Sequence, residues 1–386
     1  MAGYLDILRP VVLTQVVRQV VASADPILNF MGFQPGGANE ANYGHGREGV
    51  YHIFDDTRKS AKMRAPGTAA ARSSKNPMKA VPFVYPRCHD SISLSAEFFH
   101  NLGRIADPAT RDEAGRDQIQ RQTASLMKKA ANFRIAMTVG MLRDSLYVHE
   151  DGDDWSINYT STSATFQIIF GVPSGNKTQL NMTDRAGSSV HSANILDVPW
   201  DSAAANIPLQ FAKINIARAV QGVGPVKHVH CNSLIWQFLI KNDYLAQYAG
   251  ISQPPFQIFQ RVAGERPDGT PLHEYLGSFN SLPGVTFHVT DEGLELDDGT
   301  GTFTFTRHFS DTMAVMMGEP VKERYANYLG SEPIAEYDGG PETVRVGTSA
   351  WTKKTSNPTA TEVYVLDNCL PVPADPYDII VATVDF

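Results

Sequence analysis

Over residues 107–148 the apolar positions Ile119, Leu126, Ala130, Phe133, Met137 and Met141 recur at spacings of three, four or seven, in a body rich in Gln, Arg, Lys and Ala. That period is the mark of a helix with one buried stripe. Asp107 can cap its first turn, and Pro108 fits the first helical position, where a missing N–H costs nothing. A helix of this length outspans an ordinary small domain, so the pattern predicts a strut. Gly115 and Gly140 interrupt it and mark a bend or a close contact.

On the N-terminal side, Val12, Leu13, Val16, Val17, Val20 and Val21 fall in i, i+4 pairs after Pro10 and stop at Asp25-Pro26. They predict a short amphipathic helix over 10–24. The Gly- and Pro-rich residues 33–46 follow, so the opening reads as an arm whose apolar stripe lies either on another surface or on its own domain. Alternation around 50–54 and 80–85 predicts two strands of a long hairpin, with a tip over 65–79 rich in Ala, Ser, Gly and Pro.

Beyond the strut, 155–159 and 165–170 alternate like the strands of a hairpin turning over 160–164. Residues 201–220 read as a helix with Ile207, Phe211, Ile214, Ala217 and Val220 on one face, 226–230 as a strand and 232–248 as a second helix. Helix, strand, helix implies a small α/β layer. Strands are predicted near 285–289 and 302–308, joined by the acidic turn 291–301, with late strands at 344–347 and 362–366 and an extended, Pro-punctuated stretch over 370–386.

Charge changes this picture at one place. The 386 residues carry a net charge of −8, with 42% hydrophobic and 19% charged positions, the composition of a folded chain without bulk affinity for DNA or anionic lipid. Between Gly46 and Cys88, however, nine basic residues outnumber three acidic ones. The hairpin therefore holds a net +6 against −14 on the remainder, which suits docking on another copy's acidic surface, with nucleic acid as the competing partner. Cys88, Cys231 and Cys369 are odd in number and far apart, so neither a disulfide framework nor a zinc ribbon is expected. No stretch reads as a signal peptide or a membrane span.

Candidate chemistry is sparse. His228 and His230 alternate on a predicted strand beside Cys231, which puts both imidazoles on one face, one way to begin a metal site. With a carboxylate such as Asp243 they would make a metal-dependent hydrolase. No further ligand stands at a recognisable spacing, so core or edge histidines are the simpler reading. Ser125 and Lys128 match S-x-x-K without the K-T-G or S-D-N that accompany it, and read as a solvated helix face. Asp151, Asp153 and Asp154 lack the spacing of a calcium loop. Gly222-Val223-Gly224 follows a helix and lacks a third glycine. The chain reads as no enzyme, with no catalytic residue, metal or cofactor assigned.

The order of parts is more informative than any motif. It runs through Leu13-Thr14 to Pro26-Ile27-Leu28 and a Gly-rich stretch, Arg64-Ala65-Pro66-Gly67 in the hairpin, and Ile92-Ser93-Leu94-Ser95-Ala96-Glu97 leading through Arg104 into the strut. Asp151-Gly152 and a strand follow the strut, Asp201 to Ala204 open a lobe helix, and Pro371 to Asp378 lie near the C-terminus. Nearly the whole chain thereby resembles the major capsid protein of tailed bacteriophages, and more narrowly the lambda-type "major capsid protein E" group. One departure stands out. Where that group tends to place an acidic residue and an aromatic before a Gly-Ala-Leu-like turn, this chain has Phe133-Arg134-Ile135 and Gly140-Met141-Leu142, as a distant subgroup would.

The resemblance implies an α+β, Hong Kong 97-like phage capsid fold. It divides the chain into an N-terminal arm (1–45), an E-loop hairpin (46–90), a peripheral domain (91–200) with its spine helix at about 107–148, an axial domain (201–330) and a C-terminal return into the peripheral domain (331–386). It implies a virion shell subunit assembled in the host bacterial cytoplasm as pentamers and hexamers around double-stranded DNA held without specific contacts. Portal protein, a separate scaffolding protein and a decoration protein are the implied partners. Arg47, Arg58, Lys59 and Arg64 in the hairpin and Val16 and Val20 in the arm are the expected intersubunit contacts. An encapsulin-like cellular compartment is the alternative.

Overall fold

The strut is a single helix, Pro108–Leu142, in the computed structural model of the chain, and its 35 residues span roughly 52 Å at 1.5 Å per residue. The structure describes residues 10–23, 25–42, 48–54, 78–84, 86–95, 97, 100–101, 108–151, 154–160, 164–247, 256–261, 274–297, 301–335, 342–356 and 359–385. The helix ends before the expected 148 because Asp144 adopts a left-handed conformation (φ 54°) and the chain reverses into the strand Leu146–Asp151. Gly140 permits the reversal: a Cβ there would lie 2.9 Å from Leu146 Cδ1 and 3.1 Å from Leu146 Cβ.

Val148, seven residues beyond Met141, continues the helical spacing, but it and Leu146 alternate as buried residues of the strand instead. A single position cannot tell the two periods apart; the pair 146 and 148, two apart, belongs to a strand. This strand displaces the hairpin expected around 160–164. Asp154–Asn158 and Phe166–Ile168 flank Leu146–Asp151, each pairing with it antiparallel, and do not pair with each other.

The N-terminal helix Pro10–Ser23 is not a free arm. Its stripe of Leu13, Val17 and Val21 is fully buried against the long helix and the strand Ser349–Ser356. Thr14 Oγ1 donates to the Ala350 carbonyl at 3.1 Å and accepts from the Ala350 N–H at 3.0 Å, and Arg18 Nε donates to the Thr348 carbonyl at 3.1 Å. Each buried Leu or Val contributes about 1.5–3 kcal/mol relative to exposure, so internal docking wins over an outward reach. A six-residue helix, Pro26–Met31, follows, capped by the Asp25 side chain accepting from the Ile27 N–H at 2.8 Å and closed by Gly32 at φ 67°. Glu40–Asn42 then pairs parallel with Tyr325–Leu329.

That pairing opens the outer sheet, ordered Glu40–Asn42, Tyr325–Leu329, Thr359–Pro373, Ser349–Ser356, with Arg87–Ser95 also on Thr359–Pro373. The long helix packs on it. The hairpin strands Glu48–Phe54 and Met78–Val84 run antiparallel from Glu48 opposite Val84 to Phe54 opposite Met78, a two-stranded sheet of their own. Of the expected tip, 65–77 lie outside the described residues, while Met78 and Lys79 belong to the second strand.

The α/β lobe is built on a seven-stranded sheet ordered Phe256–Arg261, Glu274–Phe279, Thr286–Thr290, His228–Cys231, Met313–Met317, Ile380–Thr383, Lys177–Thr178. Helices Ile207–Gln221 and Ser233–Lys241 are N-capped by the side chains of Asn206 and Asn232. They bury Phe211, Ile214, Trp236 and Leu239 on Val229, Cys231, Phe287 and Ala314. Gly277 lets Trp236 reach the sheet, since a Cβ there would stand 2.4 Å from its ring. The opposite face offers Val315, Met317 and Val381 to the core around the long helix.

Two further expectations change here. The acidic stretch expected as a turn is itself a strand, Gly293–Asp297, paired antiparallel with Phe303–Arg307. Leu294 and Leu296 hold it on the core around the long helix. The C-terminal stretch divides between layers, Thr359–Pro373 completing the outer sheet and Ile380–Thr383 entering the lobe sheet. Among the described residues no helix is long and apolar enough to cross a membrane.

Candidate functional site

Three places in the fold concentrate chemistry: two buried arginine nodes that tie its layers together, and a cluster of histidines on the lobe sheet. Arg134, in the long helix, is 1% exposed. Its Nε and Nη2 donate to the two Asp367 oxygens at 2.9 and 2.7 Å, Nη1 donates to Glu40 Oε1 at 2.7 Å and the Phe33 carbonyl at 2.9 Å, and Nη2 also reaches Thr348 Oγ1 at 2.9 Å. Thr348 Oγ1 donates in turn to Asp367 Oδ1 at 2.9 Å. Burial works against the guanidinium's charge, but Asp367 and Glu40 outweigh it and raise its pKa. One side chain thus joins the helix, the chain after Pro26–Met31 and two places in the outer sheet. It is the arginine of Phe133-Arg134-Ile135, where the sequence departs from the group it resembles.

The second node is Asp378, in the short turn Pro376–Asp378. Arg218 Nη2 donates to its Oδ1 at 2.6 Å, Arg324 Nη1 to the same oxygen at 2.8 Å, and the Tyr325 hydroxyl to Oδ2 at 2.6 Å. Arg218 also donates to the Asp378 and Gly224 carbonyls at 2.8 and 2.6 Å. A lobe helix, a loop and the stretch leading into the last strand are fixed at one carboxylate.

The histidines lie on the face of the lobe sheet turned away from its helices. His228 and His230 share a face, as their alternation predicts, and the parallel neighbour Thr286–Thr290 adds His288 directly beside His230. His228 Nδ1 stands 3.1 Å from His288 Nε2, and the His230 and His288 rings stack at 4.5 Å. Phe30, from the short helix Pro26–Met31, sits against all three rings at 4.7, 5.2 and 4.5 Å. Phe309 stacks on His230, whose Nε2 is buried without a hydrogen-bond partner.

Burial, reinforced by the neighbouring imidazole His228, pushes His288 down to about 3. Burial and its two neighbours hold His230 well below the ordinary value. His228 is lowered by burial while Glu319, 3.4 Å from its Nε2, pulls the other way. The cluster is therefore neutral near pH 7 and packs as aromatic rings. Beyond it, His308 Nε2 lies 3.5 Å from Asp25 Oδ2, and burial, with the charges of Asp25 and Glu292, raises Glu274 to about 8.

Cys231 is not part of this cluster, because it faces the helices on the other side of the sheet. Asp243 opens the helix Asp243–Gln247, whose Leu245 packs into that same helical side. The structure thus keeps His228 and His230 together but sets Asp243 on a helix of the other side of the sheet. Among the described residues no group of three or more His, Cys, Asp or Glu is arranged to hold a metal ion. Ser125 is exposed on the long helix. His288 and Phe30 were not singled out in the sequence: only the parallel register and a helix too short to show a period bring them here.

Of the expected intersubunit residues, Arg47, Arg58, Lys59 and Arg64 lie outside the described residues. Val16 and Val20 are partly buried against the chain's own core. Large apolar side chains do stand in water elsewhere: Ile216 and Val220 on the lobe helix Ile207–Gln221, Trp155 and Phe166 in contact on the three-stranded sheet, and Phe303 and Phe305 on the strand Phe303–Arg307.

No known family's sequence profile and no curated protein matches the chain. Solved structures similar to it include a phage-related protein from Bordetella bronchiseptica RB50, with 10% identity, 94% of this chain and 97% of that one covered, and a TM-score of 0.45. The capsid of Ralstonia phage GP4 shares 9% identity over 95% of this chain and 92% of that one, with a TM-score of 0.44. The satellite phage P4 procapsid that includes the size determination (Sid) protein shares 9% identity over 97% and 91%, with a TM-score of 0.43.

Proposed function

We propose that this chain is the major capsid protein of a tailed bacteriophage, of the lambda-type group and with a Hong Kong 97-like fold, assembling as pentamers and hexamers into an icosahedral shell around double-stranded DNA. The observation that carries the reading is the hairpin Glu48–Phe54 and Met78–Val84. It pairs as a two-stranded sheet of its own and exposes the apolar Val50. A lone two-stranded sheet is marginal in water and needs a surface to lie on. On a body of opposite net charge, the surface that fits is another copy of the same chain, the arrangement of a subunit that completes itself on its neighbours. The rigid frame behind the hairpin, a 35-residue helix locked to the outer sheet through Arg134, suits a part that must transmit load across a shell.

Portal, scaffolding and decoration proteins are partners in this proposal, the DNA is held on the inner face without sequence contacts, and no catalytic residue is required. Negative-stain electron microscopy of the protein expressed with its upstream neighbours tests it. Closed angular shells tens of nanometres across are the expected outcome. Uniform small particles under every assembly condition overturn it.

A further inference from the structure

The ribbon formed by Gly293–Asp297 and Phe303–Arg307 has two unlike faces. Leu294 and Leu296 point into the core, and Asn158 Nδ2 ties the Asp297 carbonyl down at 2.9 Å, so the ribbon is fixed to the body. On the outward face the cross-strand pairs are Glu295 with Phe305 and Asp297 with Phe303. Phe303 and Phe305 are 66% and 58% exposed, and Glu295 is exposed beside them. The Phe305 ring lies close over Gly293, where a Cβ would meet it at 2.9 Å, so its position is set by the backbone beneath. Two phenylalanines left in water each forgo about 1.5–3 kcal/mol of burial. A strand shaped only for its own subunit would carry polar residues there; adjacent exposed aromatics with polar neighbours, here Glu295, Asp297 and Arg307, are the make-up of a contact surface.

Charge identifies the occupant. The outward face carries the carboxylates Glu295 and Asp297, and its one cation, Arg307 opposite Gly293, is already paired with Asp311 at 2.6 Å. Residues 57–79 contain seven basic residues and no acidic one, with Met63 and Pro66 among them to meet aromatic rings. Two acidic bodies meeting through the ribbon would repel each other, whereas the basic stretch complements it. We propose that the outward face of this ribbon, Glu295, Asp297, Phe303 and Phe305, receives residues 57–79 of a second copy of the chain, an assignment that rests on the shell reading and names the surface on which its hairpin docks.

The test places photoreactive benzoylphenylalanine at position 303 of the full chain, expressed with its upstream neighbours, and irradiates the shells. Denaturing gels then separate cross-links between copies, which double the mass, from cross-links within one copy, and peptide mapping locates the joined segment. Dimer-mass product joining the ribbon to a peptide from 57–79 is expected, with none from the same probe at Ile216 on the lobe helix. Products mapping to another segment, or of monomer mass only, overturn the assignment. Glu295→Lys, a change on an exposed side chain, is expected to cut shell yield about tenfold while leaving subunit melting unchanged; undiminished yield also overturns it. Absence of shells from the unaltered chain would instead remove the shell reading, so the two failures are distinguishable.

Discussion

Arg134 and Asp367 meet in a two-pronged ion pair at 2.9 and 2.7 Å with both side chains out of water, one on the long helix and the other on the longest strand of the outer sheet. A charge pair so placed is costly to break from one side, because the partner is left buried and alone. Arg134→Met strands Asp367 and Glu40 together and is expected to destabilise the subunit by about 3–5 kcal/mol. Arg134→Lys rescues little, since an ammonium cannot donate along two parallel lines. Denaturant unfolding of the unassembled subunit measures both.

Gly140→Ala sets two effects against each other. Alanine in a helix interior gains about 1 kcal/mol over glycine. The new methyl would meet Leu146 at 2.9–3.1 Å, and overpacking of this kind costs about 1–3 kcal/mol. The Leu146 Cβ is fixed to its strand and cannot yield as its tip can, so the variant is expected to melt lower than the parent in a thermal scan.

Glu274 gives a pH signature of definite sign. Folding raises its pKa from 4.5 to about 8, so the folded chain holds a proton that the unfolded chain releases. Its contribution is complete below 4.5 and is lost as pH rises through about 8. Glu274→Gln keeps the site neutral and is expected to match the parent near pH 4 and to exceed it at pH 9 by about 1–3 kcal/mol. Melting curves at the two pH values decide it.

The histidine cluster gives the opposite slope. Folding lowers His288 from 6.5 to about 3, so the unfolded chain binds the proton first, and stability is lost as pH falls across that window. His288→Leu is expected to flatten the acid limb of a melting-temperature profile whatever it does to the value at pH 8. An unchanged slope would show that the acid sensitivity lies elsewhere.

Arg58 and Arg64 test the hairpin's part in assembly. Reversing both, Arg58→Glu with Arg64→Glu, is expected to slow or abolish shell formation, read by light scattering and microscopy, while the subunit itself folds. Normal shells from the double variant would remove those two charges from the contact.

The sequence revealed the long helix and both principal lobe helices because each carries a stripe over two turns or more, although the first lobe helix starts only at Ile207 and the expected 232–248 divides at Asn242 into Ser233–Lys241 and Asp243–Gln247. It also placed His228 and His230 on one face, since a two-residue period leaves no choice. What it hid was partnership between distant segments. Nothing in the pattern of Thr286–Thr290 says that it lies parallel to His228–Cys231 and so sets His288 beside His230. The helix Pro26–Met31, at six residues, is too short to show a period, so Phe30 was invisible as the cluster's cover. Arg134 carries a charge in a charged helix and reads as surface until Asp367 is found opposite it, 233 positions away. The Val-rich stripe of Pro10–Ser23 was plain, but a stripe specifies that something must cover it, not what does.

The split of the C-terminal stretch between two sheets bears on how the chain is made. A ribosome delivers the N-terminal helix, the long helix and most of the lobe first, yet Met313–Met317 lacks one neighbour until Ile380–Thr383 has emerged, and Tyr325–Leu329 lacks one until Thr359–Pro373 has. Until then each layer carries an open seam of unpaired backbone, and the two seams close within a few dozen residues of each other. A nascent chain is thereby kept from presenting finished surfaces while it is still tethered, and an interrupted one keeps unpaired strand edges open to pairing with other chains.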